Sequence, residues 1–229
     1  MNANDSPLPI LYIDETILVI NKPAGLPTLP DGYDPAAPHV RSLLEPHVGR
    51  VWIVHRLDRD TSGVLLLART AEVHRALNSQ FDQRQVSKTY HALATGSPAW
   101  TSKTVDLPLR ADVGHKHRTV ADPARGKLAV THLRVLERFT GYTLVEAIPE
   151  TGRTHQIRAH LAAVGHPLLA DALYGSPHAV EKPPLMPRLA LHARRLTIEH
   201  PVQRTPLHFA APYPEDFARA LDELRQADG

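Results

Sequence analysis

The sequence predicts an α+β fold built on a mostly antiparallel sheet. Three observations carry this: short apolar or β-branched runs outnumber helical stripes, helices do not alternate regularly with strands, and 21 Pro break the chain into many loops. A helical bundle is thereby disfavoured. At 229 residues the chain can bury a real core as one large domain or two small ones. With no Cys it can hold neither a disulfide framework nor a thiolate metal site, which is compatible with a reducing compartment. The opening MNANDSPLPI lacks a basic region followed by a long apolar run, and no later run reaches the roughly 18 apolar residues of a membrane span. A cytoplasmic protein without a membrane segment is expected.

ILYIDETILVINKP reads as a hairpin of strands Ile10–Ile13 and Ile17–Asn21 around the turn-prone Asp14 and Glu15. Five Pro and two Gly between Pro23 and Pro38 make the next stretch a long connection. VWIVHRLDRDTSGVLLLART sets two apolar runs around a polar loop, which puts Asp58 between strands. In Ala71–Phe81, Val73, Leu77 and Phe81 recur at helical spacing. KTYHALATG alternates as a strand, with Tyr90, Ala92 and Ala94 on one side and Thr89, His91 and Leu93 on the other. DVGHKHRTVADPARGK is a basic, turn-rich excursion from the sheet, followed by strands in LAVTHLRVLERF and YTLVEAIPE. TGRTHQIRAHLAAVGHP predicts a helix from near Thr154 to Gly165 that buries Ile157, Leu161 and Val164 and leaves Arg158 on the border of the core. LALHARRLTIEH gives a last strand and EDFARALDELRQ a closing amphipathic helix.

Net charge is only +2, yet residues 51–160 hold 16 Lys or Arg against 10 Asp or Glu. Such a local positive field suits a phosphate backbone, although a solvated basic face has the same composition. HRLDRDTSG is the densest polar cluster in an apolar neighbourhood, where polar groups must be paired or used. If extended, Arg56 and Asp58 project to one side while Leu57 turns into the core. The plain alternative is a tight turn in which Asp58 or Asp60 serves the backbone.

The 15 His, with Asp58 and Asp60, raise the question of metal. His155 and His160 are five residues apart, about 140 degrees around a helix, and do not chelate as an i, i+4 pair does. The His excess is therefore expected mostly on the surface, and no metal site is expected. GRTHQIRAH places Arg153, His155 and Arg158 around a helix start. A border arginine there calls for a carboxylate partner, whether for structure or for chemistry.

With these residues in view, the sequence resembles the RluA-type pseudouridine synthases through ordered blocks covering nearly the whole chain. The blocks are NKPAGLPT, HRLDRDTSGVLLLART, KTYHALATG, ETGRTHQIRAHLAAVGHPLLADALYG, LALHARRLTI and FAAPYPEDF. The resemblance implies one catalytic domain over residues 1–229, a long mixed sheet with flanking helices and a central cleft; members of the family often add an N-terminal S4 domain, and with about nine residues before the first strand none is expected here. It also implies an RNA pseudouridine synthase that isomerises uridines in ribosomal or transfer RNA without a cofactor. Asp58 would be the essential carboxylate, Arg56 would help hold the target nucleotide out of its stack, and Tyr90 would line the uracil pocket. Arg158 would form an ion pair with Asp58. Lys116, Arg118, Arg125 and Lys127, on the basic excursion, would contact RNA. Residues 30–48 and 112–127 match less tightly and are read as loops, and a monomer is expected. Two other classes remain open: a non-catalytic RNA-binding or assembly factor on the same fold, and a metal-dependent hydrolase using Asp58 and Asp60.

Overall fold

A computed structural model describes residues 6–30, 32, 34, 36–175 and 185–228. In chain order the elements are β1 (Ile10–Ile13), β2 (Ile17–Lys22), α1 (Val40–Val48), β3 (Trp52–Ile53), β4 (Ser62–Ala68), α2 (Ala71–Asp82), β5 (Ser87–Thr95) and β6 (Ser102–Asp106). They continue with β7 (Leu109–Val113), β8 (Arg118–Ala121), β9 (Val130–Phe139), β10 (Tyr142–Pro149), α3 (Gln156–Ala163), β11 (Leu191–Glu199), β12 (Pro206–Ala210) and α4 (Glu215–Asp228). The chain divides into two compact units, residues 1–88 with 193–212 and residues 89–192 with 213–229. The α+β class expected from the sequence is the class observed.

In the first unit the strand order is β1-β2-β4-β11-β12, with β3 also pairing β4. The β1–β2, β2–β4, β3–β4 and β11–β12 ladders are antiparallel. All seven residues of β4 are buried, because this strand is covered on both faces. Its Val64, Leu66 and Ala68 share a core with Ile17 and Val19 of β2, Val73 and Leu77 of α2, and Leu196 and Ile198 of β11. α2 begins where Thr70 Oγ1 accepts from the Val73 amide at 3.2 Å, as an N-cap threonine does.

In the second unit the order is β5-β10-β9-β6, again antiparallel, and β7 and β8 form a separate two-stranded hairpin. The alternation read in KTYHALATG divides two cores. Tyr90, Ala92 and Ala94 pack with Ile157 and Leu161 of α3, whereas Leu93 packs with Phe217 and Leu221 of α4.

Five elements differ from the sequence reading. α1 occupies part of the stretch read as a loop, and it tolerates Pro46 inside a helix of only nine residues. The basic excursion is a hairpin, β7–β8, whose bulged register and exposed strands lack the alternation that marks a strand. β6 and β12 were not expected at all, and both are short and mostly exposed strands. Four histidines also depart from the surface placement expected for most of them: His91, His160, His192 and His200 are buried. His160 shows how, with Nδ1 2.9 Å from Thr131 Oγ1 and Nε2 3.0 Å from the Leu107 carbonyl.

Gly63 at the second position of β4 has φ +115°, and a Cβ there would lie 2.2 Å from the Ala193 carbonyl oxygen on β11. Only glycine meets both the conformation and the close approach. Gly63→Ala is accordingly expected to lower the free energy of unfolding by about 3 kcal/mol or more, the combined cost of overpacking and backbone strain. Equilibrium urea unfolding checks it, and an unchanged midpoint would contradict the close packing of β4 on β11.

Candidate functional site

HRLDRD runs without regular structure from the end of β3 to the start of β4. As the extended reading requires, Arg56 is exposed, Leu57 is buried and Asp58 is half-buried. A turn follows, closed by the Thr61 amide donating to the Asp58 main-chain carbonyl at 3.1 Å. The turn thus uses the backbone of Asp58.

Two buried side chains of the earlier NKPAGLPT segment hold this loop. Thr28 Oγ1 donates to the Leu57 carbonyl at 2.8 Å and accepts from the Leu57 amide at 3.2 Å, so one hydroxyl satisfies both main-chain groups of the residue before Asp58. Lys22, the last residue of β2, is fully buried, and its Nζ donates to the carbonyls of Pro23, Leu26 and Arg59 at 2.7, 2.8 and 3.0 Å. Its three protons join the Pro-rich connection to the residue after Asp58.

The strand before the loop is braced by histidines. His55 stacks on Phe81 at 5.0 Å between ring centroids, and its Nε2 accepts from the Leu66 amide at 3.0 Å. Burial, aided by the nearby Lys88 charge, pushes the His55 imidazole down to about 3, which keeps the ring a neutral acceptor. His74 Nε2 lies 3.0 Å from the Ile53 carbonyl.

In the second unit Tyr90 lies on β5 opposite Ala147 of β10, half-buried against the Ile157 and Leu161 face of α3. Arg158, on the first turn of α3, is 7% exposed. α3 starts at Gln156, because His155 before it takes a left-handed conformation with φ +53°. Within this unit the carboxylate on Arg158 is Asp171, which accepts from Nε and Nη2 at 2.8 Å each. A bidentate fork of this kind fixes the guanidinium plane as well as its charge. Asp171 Oδ1 also accepts from the amides of Leu173 and Tyr174 at 3.0 and 3.2 Å.

Tyr174 then covers Arg158, its ring centroid 5.1 Å from Cζ, and its hydroxyl accepts from the Thr119 amide at 2.8 Å and lies 3.2 Å from His155 Nδ1. Burial pushes the Tyr174 phenol up and keeps it protonated. Of the basic residues near the hairpin, Lys116, Arg125 and Lys127 are exposed, while Arg118 donates to the Leu173 carbonyl and packs over the Tyr174 ring at 5.8 Å. Among the described residues no group of three or more His, Asp or Glu could hold a metal ion.

The structure therefore sets Arg56 and Asp58 together on one loop of the first unit, and Tyr90 and α3 against one core of the second. Sequence reasoning missed Lys22, Thr28, Asp171 and Tyr174 as site residues. Each stands inside a block that carried the resemblance, but none has a pattern that announces a buried partner.

The fold and the sequence of these loops are shared with RNA-modifying isomerases. The chain belongs to the RNA pseudouridylate synthase family, whose model matches residues 16–163. Ribosomal large subunit pseudouridine synthase D of Pseudomonas aeruginosa is 41% identical over 98% of this chain and 74% of its own length. Its namesake in Xylella fastidiosa is 40% identical over 97% and 71%. Human RNA pseudouridylate synthase domain containing 1 superposes with a TM-score of 0.78 at 28% identity, covering 97% of this chain and 94% of the human one.

Lys22→Met keeps the length of the side chain and removes the only group described as joining the three carbonyls. The expected result is a loss of roughly 1–3 kcal/mol of stability from unsatisfied carbonyls, with turnover on bound RNA falling more than RNA affinity. Urea unfolding alongside single-turnover assays tests this, and wild-type turnover in Lys22→Met would show that the clamp does not prepare the loop.

Proposed function

We propose that this protein converts uridine to pseudouridine in large-subunit ribosomal RNA, with Asp58 as the reacting carboxylate. The observation that carries the proposal is the backbone of the HRLD loop, pinned on both sides of Asp58 by Lys22 and Thr28 inside a family defined by this reaction. A catalytic group gains from being held before substrate arrives, since no ordering is then required at the moment of reaction. The ribosomal target is supported by the names of the bacterial relatives. The family model draws residues from both units, which supports reading the whole chain as one catalytic domain.

Isomerisation breaks the bond from uracil N1 to ribose C1′, forms one from C5 to C1′, and releases the C5 proton while N1 gains one. A carboxylate serves this by attacking carbon or by stabilising positive charge at C1′. No electrons or phosphoryl groups change hands, so the reaction needs no cofactor. Tyr90 offers a ring for the base and Arg158 a fixed positive charge for the site. Arg56, exposed on the loop, fills the stack that the flipped uridine leaves, at a cost of a few kcal/mol that loops incur less than duplex. Lys116, Arg125 and Lys127 face solvent as phosphate ligands do, and the half-buried Arg118 adds charge from the same hairpin. The ribosomal RNA for which the bacterial relatives are named supports a cytoplasmic place of action, and a monomer is proposed. Among the described residues no helix is long and apolar enough to cross a membrane.

Mapping pseudouridines in ribosomal and transfer RNA from cells with and without the gene tests the target. At least one large-subunit position is expected to revert to uridine without the gene. The purified protein is then expected to restore it in chelator, on RNA already folded in monovalent salt. Losses confined to transfer RNA would overturn the ribosomal assignment, and a strict need for divalent metal would favour hydrolase-like chemistry at Asp58 and Asp60.

A further inference from the structure

Arg158 is almost wholly buried, and a buried guanidinium needs a partner of opposite charge and full hydrogen bonding to be tolerated. Asp171 meets that need in a particular way. Its two oxygens face Nε and Nη2, which leaves one edge of the guanidinium to other groups, and its own position is fixed by two backbone amides of the following turn. The same turn carries Tyr174, whose ring lies over the guanidinium and whose hydroxyl is bound by the amide of Thr119 on β8. Arg118, next to it, bonds the Leu173 carbonyl and packs on the other ring contact of Tyr174. Arg158 thus belongs to one continuous assembly with hairpin β7–β8.

We propose that Asp171 and Tyr174 are positioning residues for the isomerisation, Asp171 orienting the Arg158 guanidinium and Tyr174 tying it to the hairpin that carries Lys116. This rests on the assignment of Arg158 to the reacting site, and neither residue need touch RNA. The hairpin's hold on RNA then bears on the setting of Arg158, through the Thr119 amide and the Tyr174 hydroxyl.

Three variants of the full-length chain, Asp171→Asn, Tyr174→Phe and Arg158→Lys, are compared singly and in pairs, with total ribosomal RNA from cells lacking the gene as substrate. The measurements are single-turnover pseudouridine formation, RNA affinity and thermal unfolding. Asp171→Asn keeps an acceptor for the turn amides but loses the charge and the fork. It is expected to slow single turnover on the order of 100-fold, the cost of misplacing a reacting-site group by about 1 Å, and to leave RNA affinity within about threefold. Tyr174→Phe keeps the ring and loses the hydroxyl's links to Thr119 and to His155, and a slowing of about 10-fold is expected.

Both effects are expected to shrink to within about twofold when added to Arg158→Lys, because residues acting through one group are not additive. Losses that add fully to Arg158→Lys, or that track thermal unfolding, would make the assembly merely structural and overturn the proposal. So would normal turnover in Tyr174→Phe, the variant least exposed to misfolding. Normal turnover in Arg158→Lys would instead remove Arg158 from the reacting site, and the inference with it. A loss in Arg158→Lys without one in Asp171→Asn would overturn only the positioning role.

Discussion

The ammonium of Lys22 has no access to water, and taking such a charge out of solvent is expensive unless other dipoles replace its hydration. Three carbonyls do so, and they come from segments that are remote along the chain: Pro23 and Leu26 in the Pro-rich connection and Arg59 in the loop of Asp58. Because these carbonyls belong to both segments, the buried charge couples the conformation of the loop to that of the Pro-rich connection. Thr28 adds a second constraint on Leu57, which turns into the core beside the half-buried Asp58. The rigid, fully buried β4 follows directly, its entry fitted against β11 where only Gly63 can pass.

The second unit repeats the principle with other residues. Arg158 is a buried cation paired within this unit with the Asp171 carboxylate, and that carboxylate is itself fastened by main-chain amides. In both units a cation that could have been left in water is enclosed and over-determined. Stability alone does not require this, since apolar side chains of similar size fill such space at least as well. Preorganisation for a reaction that develops charge gives such enclosure a use under the proposed function.

How much was legible in the sequence differs by kind of feature. β1, β2, α2, β5 and β11 follow from apolar period alone, and the two faces of β5 fell to the two cores as the alternation of Tyr90 and Leu93 indicates. The Asp58 loop was legible because a polar cluster between apolar runs has few explanations. α1, β6, β12 and the β7–β8 hairpin were not, being short, Pro-interrupted or exposed, so that pairing and packing decide them and pattern does not. Lys22 and Asp171 were illegible for another reason. A buried charge looks in sequence like any surface charge, and only the partners that enclose it reveal its burial. The buried histidines escaped for the same reason, their ring nitrogens being satisfied by groups far along the chain, such as Thr131 and Leu107 for His160.

The central claim is that Asp58, on its clamped loop, performs the isomerisation. Its most direct test is the release of tritium from C5 of labelled uridine in ribosomal RNA, since that hydrogen leaves only when C5 has joined the ribose. Asp58→Asn changes one oxygen to nitrogen and is expected to fold and bind RNA like the wild type while releasing no tritium above background. Tritium release by a correctly folded Asp58→Asn protein at a rate near that of the wild type would contradict the account.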